Sequence, residues 1–121
     1  MKRDMDFIRE ILLRVEVDPR FNGSHFIVFD TSDFKDHSQE EIAYHIDLLF
    51  EAGLVEGAAT LDAPAAAISK LTWKGHEFID DTGDPDIWAK TKERTKGLVS
   101  VGIAIVSEVA KAEIKKKLGL P

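Results

Sequence analysis

Three short patterns in this chain have residue types and spacing that could do chemistry. His76-Glu77-x-x-Asp80 echoes the zinc-protease pair, in which two histidines one helical turn apart hold the metal and the glutamate acts as base. Here the second position is Asp80 and no other histidine lies nearby in sequence, so no metal site is expected. Asp81-Thr82-Gly83 matches the aspartic-protease triplet, whose Asp belongs on a loop after an apolar strand. This one reads as part of an acid-rich turn between helices, beside Asp80, Asp84 and Asp86, where helix capping explains it better. Asp30, Asp33 and Asp36 are spaced by three, unlike the alternate positions of a calcium loop, and read as turn caps. No serine sits in a glycine-framed elbow and no glycine-rich loop precedes a helix. Absence of cysteine removes thiolate catalysis, cysteine zinc sites and disulfides. No catalytic residue, metal or cofactor is expected, and the chain reads as a non-enzyme.

The remaining chemistry is charge. The 121 residues (13.5 kDa) suit one compact domain, 44% hydrophobic and 31% charged residues suit a globular protein, and a net charge of −6 argues against general nucleic-acid affinity. Residues 1–86 hold 8 Lys/Arg against 19 Asp/Glu, whereas residues 87–121 hold 8 against 3, so an acidic body carries a basic tail. The opening Met1-Lys2-Arg3-Asp4-Met5-Asp6 turns acidic where an export signal needs an apolar run, which predicts a cytoplasmic chain.

The elements that must position these groups follow from periodicity. Met5, Ile8, Ile11, Leu12 and Val15 mark a first helix, capped by Asp4, supported by a Glu10–Arg14 pair and stopped before Pro19. Ser24–Phe29 favours a short strand. Ser38 and Glu41 form a capping box for a second helix that Gly53 ends. Leu54–Gly57 and Ala67–Trp73 flank Ala58–Ala66 as a hairpin with a flexible tip. A short helix over Gly75–Asp80 turns Phe78 and Ile79 inward. Asp84-Pro85 opens another helix reaching about Lys96, and a last helix runs from about Ser100 to Leu118. The order predicts an α+β, winged-helix-like domain over 1–83 with a two-stranded wing, and a helical extension over 84–121 packed on it as one structural unit.

Three stretches carry a resemblance: Met1–Arg9, Glu40–Leu49 running into Glu51-Ala52-Gly53-Leu54-Val55, and Leu71–Asp80. Together with Ile87-Trp88 and the lysine-rich end they resemble the DUF2513-like family of uncharacterised bacterial and prophage proteins, over nearly the whole chain. The resemblance implies a winged-helix-like fold and no assigned activity. Glu51–Val55 and Leu71-Thr72-x-x-Gly75 also look like the recognition-helix exit and post-wing turn of winged-helix repressors. Those repressors carry a short helix before the recognition helix, whereas Phe26–Lys35 here reads as strand and turn.

A helix over Gln39–Ala52 entering a major groove would need cations toward the phosphates, yet it offers Glu40, Glu41, Asp47 and Glu51 and no Lys or Arg. Gln39, Tyr44 and His45, with Lys70 and Lys74 of the wing, are the candidate contacts to a partner or nucleic acid. A half-buried aromatic and a solvated histidine are the plainer account of Tyr44 and His45. Lys90, Lys92, Arg94 and Lys96 likewise fit a solvated helix face, and Lys111 and Lys115–Lys117 offset a helix dipole. Leu98, Val99, Val101, Ile103, Ile105, Val106, Val109 and Ile114 spread over more than half of the last helix, wider than one core contact needs. The apolar run Gly97–Val106 is about half of the ~20 residues of a membrane span, so a protein partner or homodimer is expected, with Leu98, Val101, Ile105 and Val109 as self-association candidates. DNA is disfavoured by the acidic helix.

Overall fold

Asp4 accepts the Phe7 amide on its carboxylate and starts α1 (Met5–Val17), which ends at Asp18, ahead of Pro19. Its inward stripe is Phe7, Ile8, Ile11, Leu12 and Val15, all buried. Arg14 turns to Asp33, at 3.6 Å, and not to Glu10, because a turn closing at Asp33 brings that carboxylate beside α1. The capping box forms as the spacing predicts: Glu41 N–H donates to Ser38 Oγ at 3.1 Å and Ser38 N–H to Glu41 Oε1 at 3.3 Å, opening α2 (Gln39–Glu51). Ile42, Ile46 and Leu49 of α2 meet the α1 stripe in the core.

The hairpin pairs β1 (Val55–Ala58) with β2 (Ala67–Leu71), antiparallel, with Val55 opposite Leu71, Glu56 opposite Lys70 and a bulge between Glu56 and Gly57. The structure is a computed structural model that describes residues 1–58, 67–98 and 101–121, so the expected wing tip lies outside the described residues from Ala59 onward. The strand expected at Ser24–Phe29 shrinks to one bridge, in which Ile27 and Ile68 exchange N–H···O bonds of 2.9 Å. Local bonds take the backbone on either side. Asn22 Oδ1 accepts the Ser24 amide at 2.8 Å, and Asp30 and Asp33 cap the next turn, with Ser32 N–H on Asp30 Oδ1 at 2.8 Å and Asp30 N–H on Asp33 Oδ2 at 3.0 Å. Phe26–Lys35 contains no helix, as its composition predicts.

Helix α3 (Trp73–Thr82) outruns the expected Gly75–Asp80 at both ends, because Thr72 caps it two residues earlier and Asp81 and Thr82 continue its last turn. The Asp-Thr-Gly triplet is therefore largely helical and Asp81 caps nothing, while burial pushes its carboxyl above the usual range. Asp84 does cap, accepting the Asp86 and Ile87 amides at 2.8 and 3.2 Å, and opens α4 (Pro85–Thr95). Helix α5 (Ile103–Leu118) begins after Gly102, later than expected; Val99 and Ser100 lie outside the described residues.

Two compact units divide the chain, Met1–His76 and Glu77–Pro121, the division falling within α3 and ahead of the 83/84 boundary expected from the order of elements. In the first, α1, α2 and the hairpin enclose Phe21, Phe29, Phe34 and Ile68. In the second, α4 packs along α5, and the α5 contact stripe is narrow: Val106, Ala110 and Glu113. The described residues form an α+β fold of five helices and a two-stranded wing.

Candidate interaction surface

Glu51–Val55 and Leu71–Gly75 meet in one joint. Helix α2 leaves through Gly53, whose φ of +72° suits a residue without a Cβ. Thr72, just past β2, donates its hydroxyl to Gly53 O at 2.6 Å, its amide to Leu54 O at 3.0 Å, and accepts the Gly75 amide at 3.0 Å. A Cβ on Gly75 would stand 2.1 Å from Leu54 O, so only glycine admits this approach. The joint fixes α2 against the wing.

On the outward side of α2, Glu40, Tyr44, Asp47 and Glu51 are exposed and no cation accompanies them. Gln39 is half-buried. Glu41 bonds His37 Nδ1 at 3.1 Å, which, with the Ser38 amide, holds its carboxyl below the usual range. The His37 ring lies flat on Phe7, centroids 3.6 Å apart and planes 7° apart.

His45 is the clearest correction. It is not solvated: it is 2% exposed, its Nε2 accepts the Asp4 amide at 2.9 Å, and its Nδ1 bonds Glu41 O at 2.8 Å. With both ring nitrogens engaged it is a core clasp between α1 and α2, and of the α2 pair only Tyr44 stays at the surface. Burial of a histidine by a residue 41 positions away leaves no local mark in the sequence.

The cations are mostly answered locally. Lys70 meets Glu56 across the hairpin at 3.5 Å, and Lys74 is exposed on the first turn of α3. Lys90 pairs with Asp86 (3.2 Å), Lys96 with Glu93, and Lys117 with Asp84 (3.2 Å). Arg94 reaches Glu113 at 3.1 Å, a carboxylate whose side chain is only 6% exposed and whose burial the sequence does not announce. Of the self-association candidates, Leu98 and Val101 precede α5, so the single arc that joins them to Ile105 and Val109 does not exist. Ile105 is 51% exposed and Val109 half-buried.

Sequence reasoning also missed a surface feature. A concavity of about 450 Å³ opens between Phe26 and Phe50, floored by Val55 and Ser69 and rimmed by Glu56. Its signal was alternation: Phe26 and Val28 point outward where Phe29 points in. Trp73, 81% exposed, is a further aromatic at the surface. Among the described residues no cluster of His, Asp or Glu has the arrangement of a metal site, and no helix is long and apolar enough to cross a membrane.

No solved structure matches the chain. A Haemophilus influenzae protein titled "Uncharacterized protein" is 32% identical over 122 residues, covering 98% of this chain and 99% of that one. The sequence profile of a family described as "Hypothetical protein (DUF2513)" matches residues 2–101, a span that takes in α1 to α4, the wing, the joint at Thr72 and the His45 clasp. On both counts the chain belongs to the DUF2513 family.

Proposed function

We propose that this chain is a non-catalytic winged-helix module that acts by binding protein, in a regulatory or adaptor role, with a second copy of itself among its partners. The observation that carries this reading is the outward side of α2, where the position of a recognition helix presents Glu40, Asp47 and Glu51 to solvent without a cation. A phosphate backbone there meets repulsion, and the counterion release that drives nucleic-acid binding is missing. Lys70 in the wing is already opposed by Glu56, and most of the tail cations face carboxylates of their own unit. A polypeptide partner with basic and apolar side chains suits the same surface.

The test is a titration of duplex DNA at low and moderate salt, read by anisotropy. Weak binding with a shallow salt slope is the expected outcome. Tight binding with a steep slope would replace this reading with a DNA-binding regulator.

A further inference from the structure

We infer that the concavity between Phe26 and Phe50 takes a short basic segment of a partner protein, one apolar side chain entering it and a neighbouring Lys or Arg meeting Glu56. The site rests on the protein-binding reading above and gives it a location and a partner chemistry.

Phe26 marks the place. The other phenylalanines of this stretch, Phe21, Phe29 and Phe34, are buried and joined by ring contacts, with centroids 5.3 Å apart for Phe21–Phe29 and 4.9 Å for Phe29–Phe34. Phe26 is 58% exposed and joins none of the ring contacts among the described residues. The Ile27–Ile68 bridge is antiparallel, which sets Phe26 across from Ser69 and holds it over the cavity. Large aromatics beside a pocket are the usual anchors of protein interfaces, and about 450 Å³ lies within the size range of ligand pockets.

Charge complementarity selects the occupant. Residues 1–76 hold 8 Lys/Arg against 14 Asp/Glu. Glu56 stands on the rim and Glu51 follows Phe50 on a helix with no cation. The pair Glu56–Lys70, 3.5 Å apart and more than half exposed on both sides, holds weakly, so an incoming cation can take Glu56 over. An anionic segment would find only Lys70 to meet, a cation already held by Glu56.

The experiment is selection of random twelve-residue peptides displayed against the full-length chain, followed by anisotropy titration of the enriched peptides, labelled. Enriched sequences should pair an apolar residue with an adjacent Lys or Arg. Their binding should weaken at least tenfold with Phe26→Ala and about threefold with Glu56→Gln. Both variants replace exposed side chains and should keep the parental thermal melt, and Val28→Ala, outside the concavity, should bind as the parent does. If Phe26→Ala fails to fold, Glu56→Gln decides. No enrichment, acidic consensus sequences, or binding indifferent to both Phe26→Ala and Glu56→Gln overturns the site. Peptides that bind independently of Phe26 but are lost with Tyr44→Ala leave the protein-binding reading intact and remove the concavity; steeply salt-dependent DNA binding removes both.

Discussion

Replacing Gly75 by alanine should reverse the sign of an ordinary substitution. Within a helix, glycine to alanine normally gains up to about 1 kcal/mol, through helix propensity and a less mobile unfolded chain. In α3 the new Cβ would stand 2.1 Å from Leu54 O, where ordinary contact begins near 3.4 Å, so something must yield by about 1.3 Å. What must yield is backbone, and the same oxygen accepts the Thr72 amide at 3.0 Å. Overpacking of this kind costs roughly 1–3 kcal/mol, and loss of the hydrogen bond adds about 1 kcal/mol. Set against the propensity gain, the net loss is about 1–3 kcal/mol, a fall of roughly 0.5–1.5 M in urea midpoint at a slope of about 2 kcal/mol/M. Far-UV circular dichroism across a urea series reads it, with Gly97→Ala as control, since nothing lies within 4 Å of a Cβ there. A Gly75→Ala chain as stable as the parent would show that α2 and the wing are not locked through Thr72.

Other outcomes follow from groups already placed. Arg94→Met strands the buried Glu113 carboxylate with Lys116 at 3.9 Å as its remaining cation; the expected loss is about 2 kcal/mol, below the full range for buried pairs because Arg94 is half exposed, and adding Glu113→Gln should recover part of it in a thermal melt. Asp81→Asn should raise the urea midpoint at neutral pH. Burial holds the Asp81 carboxyl above its unfolded value, so its ionisation costs stability as pH rises through the folded value, and the gain should vanish once pH falls below the ordinary carboxylate range. Sedimentation at tens of micromolar should show a dimer that Ile105→Asp weakens; a parental monomer would end the self-contact reading.

What could be read from sequence was local. Asp4, the Ser38–Glu41 box and Asp84-Pro85 bond amides two or three residues away, so their spacing alone places α1, α2 and α4. What escaped depends on distant partners. His45 is buried by an amide in α1, Glu113 by Arg94 in the preceding helix, and Phe26 gains meaning only when the bridge to Ile68 sets it over the cavity. The acidic side of α2 was legible because helical spacing fixes which residues share a face, whereas the arc drawn through Leu98 and Val101 failed because it assumed a helix where α5 has not begun.

The His45 clasp also sets what evolution can vary at the start of the first helix. Its donor at position 4 is a main-chain amide, so the tie ignores the identity of that side chain and fails only with proline, which has no hydrogen to give. The carboxylate of Asp4 serves the Phe7 amide separately, and serine or asparagine can inherit that duty. Drift at position 4 should therefore wander among small polar residues while position 45 stays histidine.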